Sequence, residues 1–183
     1  MLKGIIFDLD GTLVDSHYDW NLIRRKLGVK NLPILTYINN LNGVPRNEAI
    51  KILETFENQA TQKARLKKWT KKIFVFLSDK GIKKAIVTNN SCNNVEYLLN
   101  KWNLTFDGIV TRDDGVWKPS GKPLELAIKR INLEKKEVLF IGDSTPDRLA
   151  AKDAGISFIS VEQNKSTEEI ITKIIDRINL PIS

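Results

Sequence analysis

Gly4–Thr12 reads GIIFDLDGT. The apolar run Ile5-Ile6-Phe7 leads into two aspartates, Asp8 and Asp10, separated only by Leu9, and Gly11-Thr12 follows at once. Side chains alternate along a strand, so Asp8 and Asp10 fall on one side of the chain and face one site. Two like charges that close repel unless a counter-charge joins them. The end of this buried strand therefore looks arranged for a cation and for chemistry.

Four further short apolar segments read as strands: Lys84–Thr88, Gly108–Thr111, Val138–Gly142 and Ile156–Val161, with Gly4–Leu9 as the first. All but the last are nearly continuous apolar runs, the mark of parallel strands covered on both faces. Helical patterns separate them. Asn93–Trp102 follows Ser91 as a candidate N-cap, and Pro123–Ile131 starts with the proline that suits a first turn. Asp147–Ala154 stops at Gly155, and Ser166–Ile178 opens with a Ser166/Glu169 capping box. The spacing is uneven. Between the first strand and Lys84 lie Tyr18–Leu27, Ile34–Leu41, Arg46–Ala64 and Trp69–Asp79, all of helical pattern. A single crossover needs far fewer residues. The reading is an α/β fold: a doubly wound, Rossmann-like parallel sheet with a small inserted α-helical cap. Residues 1–15 and 69–183 form the core and 16–68 the cap, with linkers near Val14–Asp19 and Trp69–Lys72.

In open parallel sheets, ligands bind beyond the carboxyl ends of the strands. Asp8 and Asp10 stand at the first such end, Thr88 and Asn89 at the second, and Asp143, Ser144 and Asp147 at the fourth. Lys118 lies between the third and fourth strands. Carboxylates gathered so closely call for a divalent cation, and oxygen ligands suit Mg²⁺.

Four short motifs carry a resemblance: FDLDGT at Phe7–Thr12, VTNN at Val87–Asn90, WKP at Trp117–Pro119 and GDSTPD at Gly142–Asp147. In this order and at these strand ends, the sequence resembles the haloacid dehalogenase-like superfamily, in its phosphatase branch. The resemblance implies that Asp8 is a nucleophile forming an aspartyl-phosphate and that Asp10 is the general acid and base. It implies Mg²⁺ held by Asp8, the Asp10 carbonyl and Asp143, with Asp147 in support. Thr88, Asn89 and Lys118 would bind the phosphoryl group. An acid at Asp10 implies phosphoryl transfer and not dehalogenation. Lys122-Pro123 repeats the Lys-Pro dipeptide, but Lys118 has the family's spacing to Asp143; Gly121 stands where the family usually has a second proline. The implied substrate is a small phosphorylated metabolite, with phosphoglycolate phosphatase the nearest named activity and a sugar phosphomutase the alternative.

Composition is ordinary for a soluble globular protein: 42% of the 183 residues are hydrophobic and 28% charged. No apolar run is long enough for a membrane span, and the first residues lack a signal-peptide layout. One cysteine, Cys92, excludes an internal disulfide framework and suits a reducing cytosol, so a cytoplasmic location is expected. The net charge of +7 raises a nucleic-acid-binding or regulatory role on the same scaffold. Acids at the strand ends and the lack of any nucleic-acid-binding motif argue against it. The sequence does not specify an oligomeric state. His17 is read as a hinge residue, Asp113 and Asp114 as loop acids, and Asp143 with Asp147 also as a helix N-cap pair. Trp20, Tyr37 and Phe56 are read as core on helix faces.

Overall fold

The computed structural model describes residues 2–161 and 166–179; Met1, 162–165 and 180–183, which include both expected ends of the core segment, lie outside the described residues. The chain divides into two compact units, Met1–Asp15 with Arg65–Ser183 and, inserted between them in sequence, Ser16–Ala64.

The first unit is built on five parallel strands: β1 (Gly4–Phe7), β4 (Lys83–Val87), β5 (Gly108–Val110), β6 (Val138–Gly142) and β7 (Ser157–Ser160). Their spatial order is β5-β4-β1-β6-β7, so β1 is central. Phe7 lies opposite Ile86 on one side and Ile141 on the other. Alternation along β1 splits its side chains between two layers. Ile6 joins Ala85, Val87, Val110 and Phe140 in a cluster with Leu124 and Ala127 of α6 (Lys122–Arg130) and Ala150 and Ala151 of α7 (Thr145–Ala154). Phe7 points the other way, onto Trp69 and Phe74 of α4 (Lys68–Asp79), with ring centroids 6.2 and 5.6 Å away. α4 in turn contacts α8 (Thr167–Asn179). Helices thus cover both faces, which is why the central strands β1 and β6 are apolar and buried along their whole length.

β1 is shorter than expected. The Asp8 N–H still donates to Ile141 O at 2.8 Å, but Leu13 and Val14 N–H both donate to Leu9 O and fold the chain into a turn. The two-residue strands β2 (Val14–Asp15) and β3 (Arg65–Leu66) then pair antiparallel, where the chain leaves and rejoins this unit. Trp69–Lys72, expected as a linker, is the first part of α4. The helix signals are found in place. Ser91 caps α5 (Cys92–Trp102), accepting from the Asn94 N–H. Gly155 ends α7 in the left-handed conformation, and Ser166 and Glu169 exchange hydrogen bonds ahead of α8.

The second unit is all helical: α1 (Trp20–Leu27), α2 (Ile34–Asn39) and α3 (Gly43–Lys63). Ile23, Leu27, Ile34, Ile38, Ala49 and Leu53 form its core, with Tyr37 and Phe56 packed against it. Trp20 departs from expectation: its spacing to Ile23 and Leu27 sets it on the apolar stripe of α1, yet at the very start of the helix it is 48% exposed and stacks on Tyr18. Among the described residues, no helix is long and apolar enough to cross a membrane.

Candidate active site

Parallel alignment brings the carboxyl ends of β1, β4 and β6 to one edge of the sheet, and the polar residues that follow them meet there. Lys118 is the hub. It is 4% exposed, and its Nζ donates to Asp8 Oδ1 at 2.5 Å, Asp147 Oδ1 at 2.5 Å and Val87 O at 3.2 Å. Those three acceptors match the three protons of an ammonium group. The backbone of Lys118 is clamped by Asn89, whose Nδ2 donates to Lys118 O (3.0 Å) and whose Oδ1 accepts from the Lys118 N–H (2.8 Å). The side chain of Asn89 is therefore committed to placing the lysine.

Asp143 stands just past β6. Its Oδ1 accepts from the Thr12 hydroxyl at 3.1 Å. Gly11, with φ +89°, makes this approach possible: a Cβ there would collide with the Asp143 carboxylate. That is the physical content of the Gly-Thr after Asp10. Asp147 is fully buried and closes a capping box at the start of α7, accepting at Oδ2 from the Ser144 N–H (2.9 Å) and hydroxyl (2.5 Å). The N-cap of α7 is thus Ser144, and not the Asp143/Asp147 pair expected from the sequence. Asp147 takes the inner capping position through Oδ2, which leaves Oδ1 to reach Lys118. Asp10 Oδ2 accepts from Asn90 Nδ2 at 3.0 Å. Thr88 is 2% exposed; its Oγ1 accepts from the Asn90 N–H at 3.1 Å, which leaves the hydroxyl proton to donate elsewhere.

Carboxylate oxygens of Asp8, Asp143 and Asp147 lie within 4.8 Å of one another. Burial pushes the Asp8 carboxyl well above the usual carboxylate range, opposed by Lys118 and reinforced by Asp147 and Asp143. Burial also works against the Lys118 ammonium, but Asp8 and Asp147 outweigh it and raise its pKa. At Asp147 burial pulls upward, yet Lys118 and Ser144 prevail and hold the carboxyl below its ordinary value. Lys118 thus pairs with two of the three acids, Asp8 and Asp147, so one ammonium stands against three carboxyl groups. Oxygen donors with an excess of negative charge are the donor set of a hard divalent cation, and these three residues fit one.

The remaining expectations fall outside this cluster. Lys122 is exposed and opens α6. Asp113 accepts from the Cys92 N–H at 2.7 Å, and Asp114 pairs with Arg130 at 2.5 Å, in a 3-10 turn and not a plain loop. His17 is exposed. Three residues in the cluster's hydrogen-bond network were given no role by sequence reasoning: Thr12, Asn90 and Ser144. The available signal was their place inside the motifs.

The family model of the haloacid dehalogenase-like hydrolases matches residues 5–161. The phosphoglycolate phosphatase of Haemophilus influenzae is 30% identical over 194 residues, covering 87% of this chain and 85% of that protein. The pyrophosphatase PpaX of Bacillus velezensis is 27% identical over 175 residues, covering 84% and 80%. A HAD-superfamily hydrolase from Ehrlichia chaffeensis, solved by crystallography, superposes with a TM-score of 0.71 at 29% identity over 98% of this chain and 100% of that one. With the family model matching residues 5–161, which run from β1 to β7 and take in the acids and lysine gathered at the edge of the sheet, the chain belongs to the haloacid dehalogenase-like hydrolases.

Proposed function

We propose that the protein is a Mg²⁺-dependent phosphatase that hydrolyses a small phosphomonoester through an aspartyl-phosphate on Asp8. The observation that carries this reading is the buried Lys118 ammonium bonded at once to Asp8 and Asp147, beside Asp143. Asp8, Asp143 and Asp147, with the Asp10 carbonyl, would hold the metal. Bound there, Mg²⁺ would offset the charge of the acids and of the incoming phosphate.

The chain's own groups divide the rest of the work. Thr88 donates its hydroxyl proton to a phosphoryl oxygen, and Lys118 supplies positive charge. A carboxylate oxygen of Asp8 attacks phosphorus; the ester P–O bond breaks, and the leaving oxygen takes a proton from Asp10. Asp10, now a carboxylate, takes a proton from water as that water attacks the phosphorus. Inorganic phosphate leaves and Asp8 is restored.

The inserted unit, Ser16–Ala64, is read as the family's cap and as the element that selects the substrate. Its helical make-up and its place between the first and second motifs support that role. The relatives named as phosphoglycolate phosphatases make phosphoglycolate the first substrate to try. The test is phosphate release from phosphoglycolate and p-nitrophenyl phosphate with and without Mg²⁺, in wild type and Asp8→Asn. Wild type should require the metal and Asp8→Asn should lose turnover by at least about a thousandfold, as removal of a nucleophile does. Turnover retained in Asp8→Asn refutes the assignment.

A further inference from the structure

Two asparagine side chains are buried at the start of α5, one of them against Asp10, and each needs a reason to be there. Asn90 is 3% exposed and Asn94 is 6% exposed. A buried amide costs stability unless its donors and acceptors are matched. The Oδ1 of Asn90 accepts from the Ser91 backbone N–H at 2.9 Å and from Asn94 Nδ2 at 3.0 Å. A backbone N–H can only donate, so the atom facing it must be the oxygen. The orientation of the amide is thereby fixed, and its Nδ2 is the atom turned towards Asp10 Oδ2, at 3.0 Å. The Asn90 backbone is held as well: its N–H donates to Thr88 Oγ1, and its carbonyl accepts from the Arg112 N–H at 3.2 Å. Asn94 lies in the first turn of α5, with its own N–H on Ser91 Oγ. A continuous set of hydrogen bonds thus runs from the start of a helix to one oxygen of Asp10.

We propose that Asn90, braced by Asn94, is a positioning residue that aims the Asp10 carboxyl group at the leaving oxygen. This rests on the acid and base role given to Asp10 above. Asn90 touches neither phosphorus nor the leaving group and acts only through Asp10. In the first step the ester P–O bond breaks, a bond from Asp8 to phosphorus forms, and the Asp10 proton passes to the departing oxygen. An alkoxide leaves poorly without that proton, whereas p-nitrophenolate is a weak base and leaves without it. A misdirected Asp10 therefore penalises alkyl phosphates more than p-nitrophenyl phosphate. A fault in folding or phosphate binding penalises both alike.

The experiment measures kcat/KM, which reports steps up to cleavage of the ester bond, at saturating Mg²⁺ on phosphoglycolate, glycerol phosphate and p-nitrophenyl phosphate. Asn90→Asp is the main variant: it has the same shape and keeps an acceptor for Ser91 and Asn94, but it turns an oxygen to Asp10 in place of the N–H. Its alkyl-to-aryl ratio of kcat/KM should fall at least about tenfold, within the range that acid–base catalysis supplies. Asn94→Ala, which keeps the Asn90 amide but removes its brace, should shift the ratio in the same direction by less. It also serves if Asn90→Asp fails to fold, as judged by its thermal melt. An unchanged ratio in whichever variants fold overturns the inference while leaving the phosphatase intact. A wild type that turns over none of the three esters overturns the phosphatase reading, and the inference with it.

Discussion

Lys118 is the residue on which the electrostatics of the site turn. Without it, Asp8 and Asp147 would be two buried carboxylates with their principal counter-charge gone. Truncating one partner of a buried ion pair costs about 3–5 kcal/mol, because the other is left charged and dry. Lys118→Ala should therefore melt well below wild type in metal-free buffer and lose most phosphate release, whereas Lys122→Ala, at an exposed position, should change both little. Calorimetry and a phosphate assay on the two variants check this; the opposite order would mean the wrong lysine had been chosen. Asp8, Asp10, Asp143 and Lys118 could be picked out from the sequence because each is a charge set beside an apolar strand or at a motif's fixed spacing. Thr12 and Asn90 could not. Their meaning lies in partners 131 and 80 residues away, and a hydroxyl or amide carries no pattern that reveals such a partner. Asn89 shows the converse, since position alone gave no hint that its amide is spent on the backbone of Lys118.

At the level of elements, long periodic segments were readable and short ones were not. The five core strands and the helices follow apolar runs and 3.6-residue spacing, with Ser91, Gly155 and Ser166 acting as the stops and caps their chemistry suggests. The ribbon of β2 and β3 has two residues a side, too few for any alternation to register. The 3-10 turn Arg112–Asp114 was hidden for the same reason. That turn makes a tertiary link: Asp114 accepts from Arg130 at the end of α6 and from the Thr111 N–H. The Arg130 hydrogen bond holds the Asp114 carboxyl below its ordinary value, against a smaller upward pull from burial and with help from Thr111. A carboxyl whose folded pKa is lowered adds stability that is fully present above its unfolded pKa, about 3.9. That contribution disappears as pH falls through the lower folded value. Both partners are partly exposed, so the contribution is about 1 kcal/mol or less. Asp114→Asn should accordingly be slightly less stable than wild type near neutrality, and the gap should close below about pH 4. Urea titrations across that range provide the measurement; a gap that persists in acid would show that the loss is one of packing and not of charge.

For the molecule as a whole, the strand order explains why acids so far apart in sequence lie in one cluster. The chain lays β1 in the middle, builds outward through β4 and β5 on one side, then returns to place β6 on the other. The strand order therefore reverses next to β1, and the ends of β1 and β6 flank that switch point, where open α/β sheets bind ligands. The long gap before β4 reflects a separate compact unit inserted at Asp15, which the uneven spacing of the strands made visible. Folding is what assembles the three carboxylates; an unfolded chain offers no such cluster. A metal that binds only the folded state must stabilise it, by about 2.7 kcal/mol at a hundred times its Kd. For a chain of this size that corresponds to a rise of about 5–10 °C in the thermal midpoint of the unit that carries the sheet. Mg²⁺ should produce that rise over EDTA-treated protein. Asp143→Asn, which keeps an oxygen for Thr12 but loses a charge, should blunt it while melting close to wild type in EDTA. Scanning calorimetry with and without Mg²⁺ separates the two, and equal midpoints for wild type in Mg²⁺ and in EDTA would remove the cation from this site.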